Sequence, residues 1–417
     1  MMKRLSRGEV AAANAIAVAL LCLALDLGEL AAQATCSRTL VADVVALDQN
    51  WFWNRYGATE PQGMMYALRR DVVPISGTTL AAGNARLRSD KRPRPLTLRV
   101  NEGDCLTINF QNLLNPIRVD LEQPATRTAS IHIVGMQLVS GIGDDGTNVG
   151  RNPVSGLVGP GQSTTYRFYA EHEGTYLMFS TAATTGGEGD GGSIAAGLFG
   201  ALNVEPRNAE YYRSQVTRND MDLATVKRTP AGQPMLNYDA VYPAGHPLAG
   251  RPILKMVVNS EIVHSDLTAI ITGPGRASRF GTCDNLQSTP VMGDRCASFR
   301  EFTIVFHDET GAVQAFPEMT DPQMLHTLHS VKDGFAINYA SGGAGAEILA
   351  NRLGVGPPLN CPECKYEEFF LSSWSVGEPG MVVDNPANTR NPNGTLKVGA
   401  KATKALYPDD PSNVYHT

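Results

Sequence analysis

The stretch from Thr128 to Pro206 constrains this chain most, because it alternates short apolar runs with turns. It contains Ser130-Ile-His132-Ile-Val134-Gly135, Asp144-Asp145-Gly146 and Val158-Gly-Pro-Gly161. Glu173-Gly-Thr-Tyr176-Leu-Met-Phe179-Ser-Thr181 and Gly197-Leu-Phe-Gly200-Ala-Leu-Asn-Val-Glu-Pro206 follow. Runs of about four to eight residues bounded by Gly, Pro or Asp read as strands. Similar runs recur at Leu40–Leu47, Leu96–Val100, Cys105–Phe110, Ser163–Tyr169, Gly200–Val204, Ile253–Val258, Thr268–Thr272, Phe299–Phe306 and Glu368–Trp374. With 41 glycines, 26 prolines and only 18% charged residues, turns are frequent and long charged helices are absent. Many short strands at this spacing predict sandwiches or barrels, not parallel α/β units.

The order of features in 128–206 resembles the first cupredoxin domain of multicopper oxidases. That family places His-x-His-Gly first, then a PGQ-type turn before a strand. Gly-Thr-x-x-Tyr-His-Ser-His and a closing Gly-Leu-x-Gly-x-Leu-x-Val-x-Pro strand complete the order. Upstream, Arg99-Val-Asn-Glu-Gly-Asp104, running on to Asn112, resembles the family's Arg-x-x-x-Gly-Asp segment. Downstream, Arg300-Glu-Phe-Thr-Ile-Val-Phe-His-Asp308, Gly334–Tyr339 and Glu367–Val376 resemble strands of large members. The resemblance runs over roughly residues 40–417. It implies an all-β fold of two tandem cupredoxin-like domains, each a Greek-key β-sandwich or barrel, with loop-rich insertions.

The expected organisation is a signal peptide at 1–34, domain 1 at 35–207, a linker or excursion at 208–250, domain 2 at 251–384 and a tail at 385–417. The linker carries a helical expectation at Ala209–Gln215, and Met64–Arg94 reads as a surface insertion. The tail Leu406–Thr417 resembles the lead-in to a third cupredoxin domain. By that resemblance the partner of this chain is a copper-bearing C-terminal half or partner chain.

Lys3, Arg4 and Arg7, the apolar Val10–Leu25 and Ala32-Gln-Ala34 have the order of a secretory signal. Asn14, Asp26 and Glu29 interrupt what would otherwise approach a membrane span of about 20 residues. The chain is therefore expected to be exported. Its net charge of −6 and lack of a Lys/Arg-rich run give no electrostatic footprint for nucleic acid. Beyond Cys22 in the leader, six cysteines remain, and an even number in an exported chain suggests disulfides. The nearest pairings are Cys36–Cys105, Cys283–Cys296 and Cys361–Cys364, with a redox or metal dithiol open for the last. Spacing does not decide among connectivities.

The chemistry turns on histidine. In the family, three of the four imidazoles of this domain stand where this chain has Val134, Phe179 and Thr181; His132 alone matches. A trinuclear oxygen site needs imidazoles held in pairs, and the His-x-His spacing puts two on one face of a strand. None of the 8 histidines forms His-x-His or adjoins a cysteine, so no blue-copper Cys–His arrangement is present. The candidate copper ligands are His132 and the pair His326 and His329, whose three-residue spacing shares a helical face. A plain loop histidine and a ligand-free surface turn are the competing readings. Copper is thus the cofactor of the parent architecture, and this chain is expected to bind little or none. Asp144-Asp145 lacks the ladder of a calcium loop, Gly186–Gly192 is no P-loop, and Asn393-Gly-Thr395 is a glycosylation sequon. No catalytic residue is assigned. The expected function is the N-terminal portion of a copper-dependent oxidoreductase, inactive by itself; the alternative is a metal-free exported β-sandwich binding module.

Overall fold

The computed structural model describes residues 35–52, 58–60, 62–89, 91, 93–118, 126–147, 156–183, 192–214, 216–228, 230, 234–272, 277–278, 281–282, 299–314 and 331–338. The leader, the four cysteines from 283 onward, His326, His329, the sequon and the tail lie outside these. Among the described residues no helix is long and apolar enough to cross a membrane.

Two sheets face each other across the main core. The strands are β1 (Thr39–Asp48), β2 (Met64–Leu68), β3 (Leu96–Asn101), β4 (Cys105–Asn112), β5 (His132–Ile133), β6 (Gln137–Leu138), β7 (Ser163–Tyr169), β8 (Gly174–Phe179) and β9 (Phe199–Glu205). One sheet runs β6-β7-β4-β1, with β2 lying antiparallel along Val44–Asp48 of β1. The other runs β3-β9-β8-β5. Alternation decides which side chains meet between them. Leu40, Ala42, Val44 and Ala46 of β1 join Leu106, Ile108 and Phe110 of β4 and Tyr166 and Phe168 of β7. Leu98, Ile133, Met178, Leu202 and Val204 meet them from the opposing sheet. The odd residues Val45 and Leu47 face a second cluster with Met65, Ala67 and Trp51.

One sequence expectation is corrected in this region. Met64–Leu68, read as part of a surface insertion, is a fully buried strand, because its five apolar residues pair with β1 and serve both cores. Trp51 is buried; its Nε1 donates to Met64 O at 2.9 Å and its ring stacks on Phe199 at 6.1 Å. That close packing explains Gly197, which sits at φ +112°, where a Cβ would collide with Trp51 and the Met64 carbonyl. Cys36 and Cys105 form a disulfide, with Cα atoms 5.3 Å apart. It anchors the start of β1 beside β4, where Thr39 pairs with Cys105.

Beyond Pro206 the chain forms β10 (Glu210–Arg213), α1 (Arg218–Ala224), β11 (Val257–Val258), β12 (Glu261–Ile262), β13 (Thr268–Thr272) and β14 (Phe299–Phe302). The helix expected at Ala209–Gln215 is instead β10. Tyr211 and Tyr212 alternate between two clusters, and β10 pairs antiparallel with β13, which a helix would forfeit. The strand expected over Ile253–Val258 shrinks to its last two residues, although Ile253, Leu254 and Met256 are buried. Thr217 caps α1 by accepting from Asp220 N at 2.9 Å, while Asp220 accepts in return from Thr217 N. β12 bridges back to β1, Val41 pairing with Glu261.

The segment carrying β13 and β14 covers the outer face of the β3-β9 pair, which is why both of those strands are buried along their whole length. The seam is polar. Arg99 of β3 donates from Nε to Glu301 at 2.8 Å, from Nη1 to Asp266 O at 2.7 Å and from Nη2 to Leu267 O at 3.2 Å. Asn203 donates to Glu301 and Thr303. Glu205 stands 3.8 Å from Arg99. Burial first, and then the Glu301 carboxylate, push Glu205 well above the usual carboxylate range. Burial also opposes the charge of Glu301, but Arg99 and the hydrogen bonds hold its carboxyl below that range.

The folded state therefore keeps a proton on Glu205 that the unfolded chain releases above about pH 4.3, so its ionisation costs stability as pH rises through and beyond that value. Glu205→Gln is expected to remove this slope. Urea unfolding from about pH 5 to about pH 9 should show the variant gaining on the native chain as pH rises; parallel profiles would sink the assignment.

Candidate functional site

The four positions at which the resemblance places copper ligands come together at the end of the β5–β8 ladder. β5 pairs antiparallel with β8, and the register sets Phe179 directly opposite His132. The two rings meet edge to face, centroids 5.5 Å apart and planes at 90°. Val134 lies past the end of β5 with its N–H donating to Leu177 O at 2.9 Å; its side chain is 45% exposed. Thr181, just beyond β8, is buried. Its N–H donates to Ser130 Oγ at 3.0 Å and its hydroxyl to Gly146 O at 2.6 Å.

The loop before β7 completes the site. Gly146 N–H donates to Ile131 O at 3.0 Å, and a Cβ at Gly146 would collide with the Ile131 backbone. That close approach carries the preceding carboxylate onto the imidazole: His132 Nδ1 lies 2.9 and 3.0 Å from the two oxygens of Asp145. A carboxylate can only accept, so Nδ1 carries the proton and Nε2 is the remaining nitrogen. Burial raises the Asp145 carboxyl, but the His132 contact, Thr147 and the Gly146 N–H outweigh it and hold the group below its usual range. A carboxyl with a depressed folded value contributes stability above the ordinary Asp range that is lost as pH falls through the folded value. Asp144, adjacent in sequence, turns elsewhere: it accepts from Ser140 N at 2.6 Å and from Arg167 at 3.3 Å. The two aspartates therefore do not converge as a calcium site would require.

The structure thus brings the four positions together, yet offers one imidazole. A ring occupies the place opposite it, a methyl-bearing hydroxyl already bound to the Gly146 carbonyl and the Ser130 hydroxyl fills the next, and an exposed valine the last. Among the described residues no group of three or more His, Cys, Asp or Glu side chains is placed to hold a metal ion. The donor set does not fit a copper centre built on paired imidazoles. The sequence missed the Asp145 partnership; the only hint was the Asp-Gly pair, whose glycine is needed for the backbone approach. His326 and His329 lie outside the described residues.

The described residues between 39 and 205 define the class, an all-β sandwich of two sheets with few and short helices among them. Residues 88–209 match the sequence profile of the family described as multicopper oxidase, which relates this domain to that family and identifies its fold as cupredoxin-like. Among solved structures, the multi-copper oxidase from Pseudomonas Thermotolerans is similar at 20% identity, over 41% of this chain and 30% of its own, with a TM-score of 0.26. A second multicopper oxidase shows 26% identity over 40% of this chain and 43% of its own, TM-score 0.24. The copper nitrite reductase from Nitrosomonas europaea shows 17% identity over 41% and 42%, TM-score 0.25. TM-scores of this size establish no shared fold over the whole chain, and the matched part spans less than half of each of those proteins. Curated protein sequences gave no match.

Proposed function

We propose that this chain is the exported N-terminal portion of a multicopper-oxidase-family oxidoreductase whose first-domain copper positions have been converted to a packed, hydrogen-bonded plug. In this reading the chain reduces no oxygen by itself. Electron transfer from a phenol or metal ion to O₂ belongs to copper held by a C-terminal half or partner chain, with the sandwich described above as scaffold. The observation that carries it is the set Phe179 on His132, Thr181 bound to Gly146 and Ser130, and Asp145 on Nδ1 of His132. The same plug is what a metal-free β-sandwich binding module would show. Export rests on the leader-like order of residues 1–34.

Copper titration of the whole chain tests this. The native chain is expected to retain no tightly bound copper and no intense blue colour, since no Cys–His pair is present to generate it. Val134→His, Phe179→His and Thr181→His together, which restore four imidazoles, are expected to gain tight copper. Several coppers on the native chain would refute the reading. A single copper lost on His326→Ala and His329→Ala would transfer the metal to that pair. Recovery of oxidase activity on adding a copper-bearing partner separates the oxidoreductase reading from the binding module.

A further inference from the structure

A cleft of about 280 Å³ opens where the end of β2 and the turn Arg69–Asp71 meet β1, β12 and Arg251. Its charged lining is Arg69, Arg70 and Arg251 against Asp43 and Glu261, one positive charge in excess. Asp43 already accepts from Asn109 at 2.9 Å, and Arg69 at the rim donates to Gln111. Glu261, with its side chain 56% exposed, stands 3.7 Å from Arg70, beyond hydrogen-bond reach.

Arg70 is the unexplained group. Its side chain is only 18% exposed, and a guanidinium carries five donors. Among the described residues no acceptor lies within hydrogen-bond distance of it. Its nitrogens are nonetheless open to the cleft and not sealed beneath it. Two further guanidiniums converge on its carbonyl, which accepts from Arg88 at 2.8 Å and from Arg251 at 3.2 Å. Arg88 has a counter-charge in Asp71 at 3.3 Å. Arg251 spends one donor on that carbonyl and keeps the others. Burial first, and then the charge of Arg251, hold Arg70 below the ordinary arginine value, with Asp71 and Glu261 opposing and Arg88 adding to the effect. Crowded like charges with unused donors are completed by an anion.

We propose that this cleft binds a phosphate or sulfate group, free or as a small monoester, held by the guanidinium forks of Arg70 and Arg251. The planar fork matches the oxygen pairs of such a group, and a cleft of this size suits a compact ligand. Leu68 and Ile262 in the lining offer an apolar surface to the alcohol part of an ester. The inference is independent of the copper reading.

Calorimetric titration of the whole chain with inorganic phosphate and with sulfate, at an ionic strength fixed by sodium chloride, tests it. Saturable binding of both is expected. Arg70→Gln and Arg251→Gln should each weaken it by about tenfold, the size of one lost charge-assisted hydrogen bond. The Arg70 carbonyl is a backbone group, so its bonds to Arg88 and Arg251 survive the first substitution. Glu261→Gln, on a largely exposed side chain, should tighten binding several-fold by removing the competing carboxylate, and it serves if an arginine variant does not fold. Phenyl phosphate separates the two sources of this chemistry: tighter binding than inorganic phosphate assigns a monoester, and equal binding assigns the free ion. No binding beyond that of chloride, affinities unchanged in both arginine variants, or weaker binding by Glu261→Gln would each overturn the proposal.

Discussion

Arg99→Ala is expected to destabilise the chain by about 3–5 kcal/mol, the range for removing one member of a buried charge pair. Arg99 is 1% exposed, and it is the cation within reach of both Glu301 and Glu205. Its loss leaves Glu301, whose side chain is only 17% exposed, without the guanidinium that faces it, and deprives the carbonyls of Asp266 and Leu267 of donors. The pair as a whole need not be strongly stabilising, because the cost of desolvating both charges offsets much of their attraction. Breaking it is costly because the surviving carboxylate stays largely shielded from water. Arg99→Lys should recover only part of the loss, since an ammonium cannot span Glu301 and two carbonyls as the guanidinium fork does. Urea unfolding decides: a loss below about 1 kcal/mol for Arg99→Ala would mean that the seam relaxes and lets water in.

Removing the Cys36–Cys105 disulfide is expected to cost about 4 kcal/mol. The two cysteines are 69 residues apart in sequence, so the cross-link removes a long loop's worth of freedom from the unfolded chain. In the folded chain the neighbouring contacts persist without it: Ser37 N donates to Gly103 O at 2.7 Å and Cys105 N to Arg38 O at 2.8 Å. The effect should therefore appear mainly as a lowered unfolding midpoint, with the sandwich intact below it. Cys36→Ser with Cys105→Ser, compared with the native chain under oxidising conditions, measures it. Equal midpoints would show that the reference unfolded state is already constrained there.

Much of the first domain was legible because its strands obey a local rule. The expected and observed limits of Ser163–Tyr169 coincide, and β1, β3, β4 and β9 differ from expectation by two residues or fewer at each end. Each is a short β-branched or alternating run between turn residues; period two shows in the burial of β4 and β7, whereas β3 and β9 are apolar-rich and buried along their whole length. The cysteine pair nearest to both β1 and β4 could be named but not chosen, because spacing does not fix connectivity. β2 was missed for an opposite reason. Met64-Met-Tyr-Ala-Leu68 has no alternation, since both its faces are buried, and it sits amid polar, turn-rich sequence. β10 was misread because a stretch of four residues has too little length to express a period, and its pairing with β13 comes from nearly sixty residues further on.

The candidate site divides in the same way. Which residues stand at positions 132, 134, 179 and 181 is a property of the sequence, and with it the number of imidazoles available. Strand alternation and turn composition likewise determined an all-β chain. What only the tertiary structure decided is what the replaced positions do. Strand register sets Phe179 against His132, the close approach at Gly146 brings Asp145 to Nδ1, and a neighbouring layer closes over Arg99 and Glu205. Those contacts join residues 13 to 202 positions apart. Their energy depends on burial and on the charge beside each group, neither of which any local stretch of sequence contains.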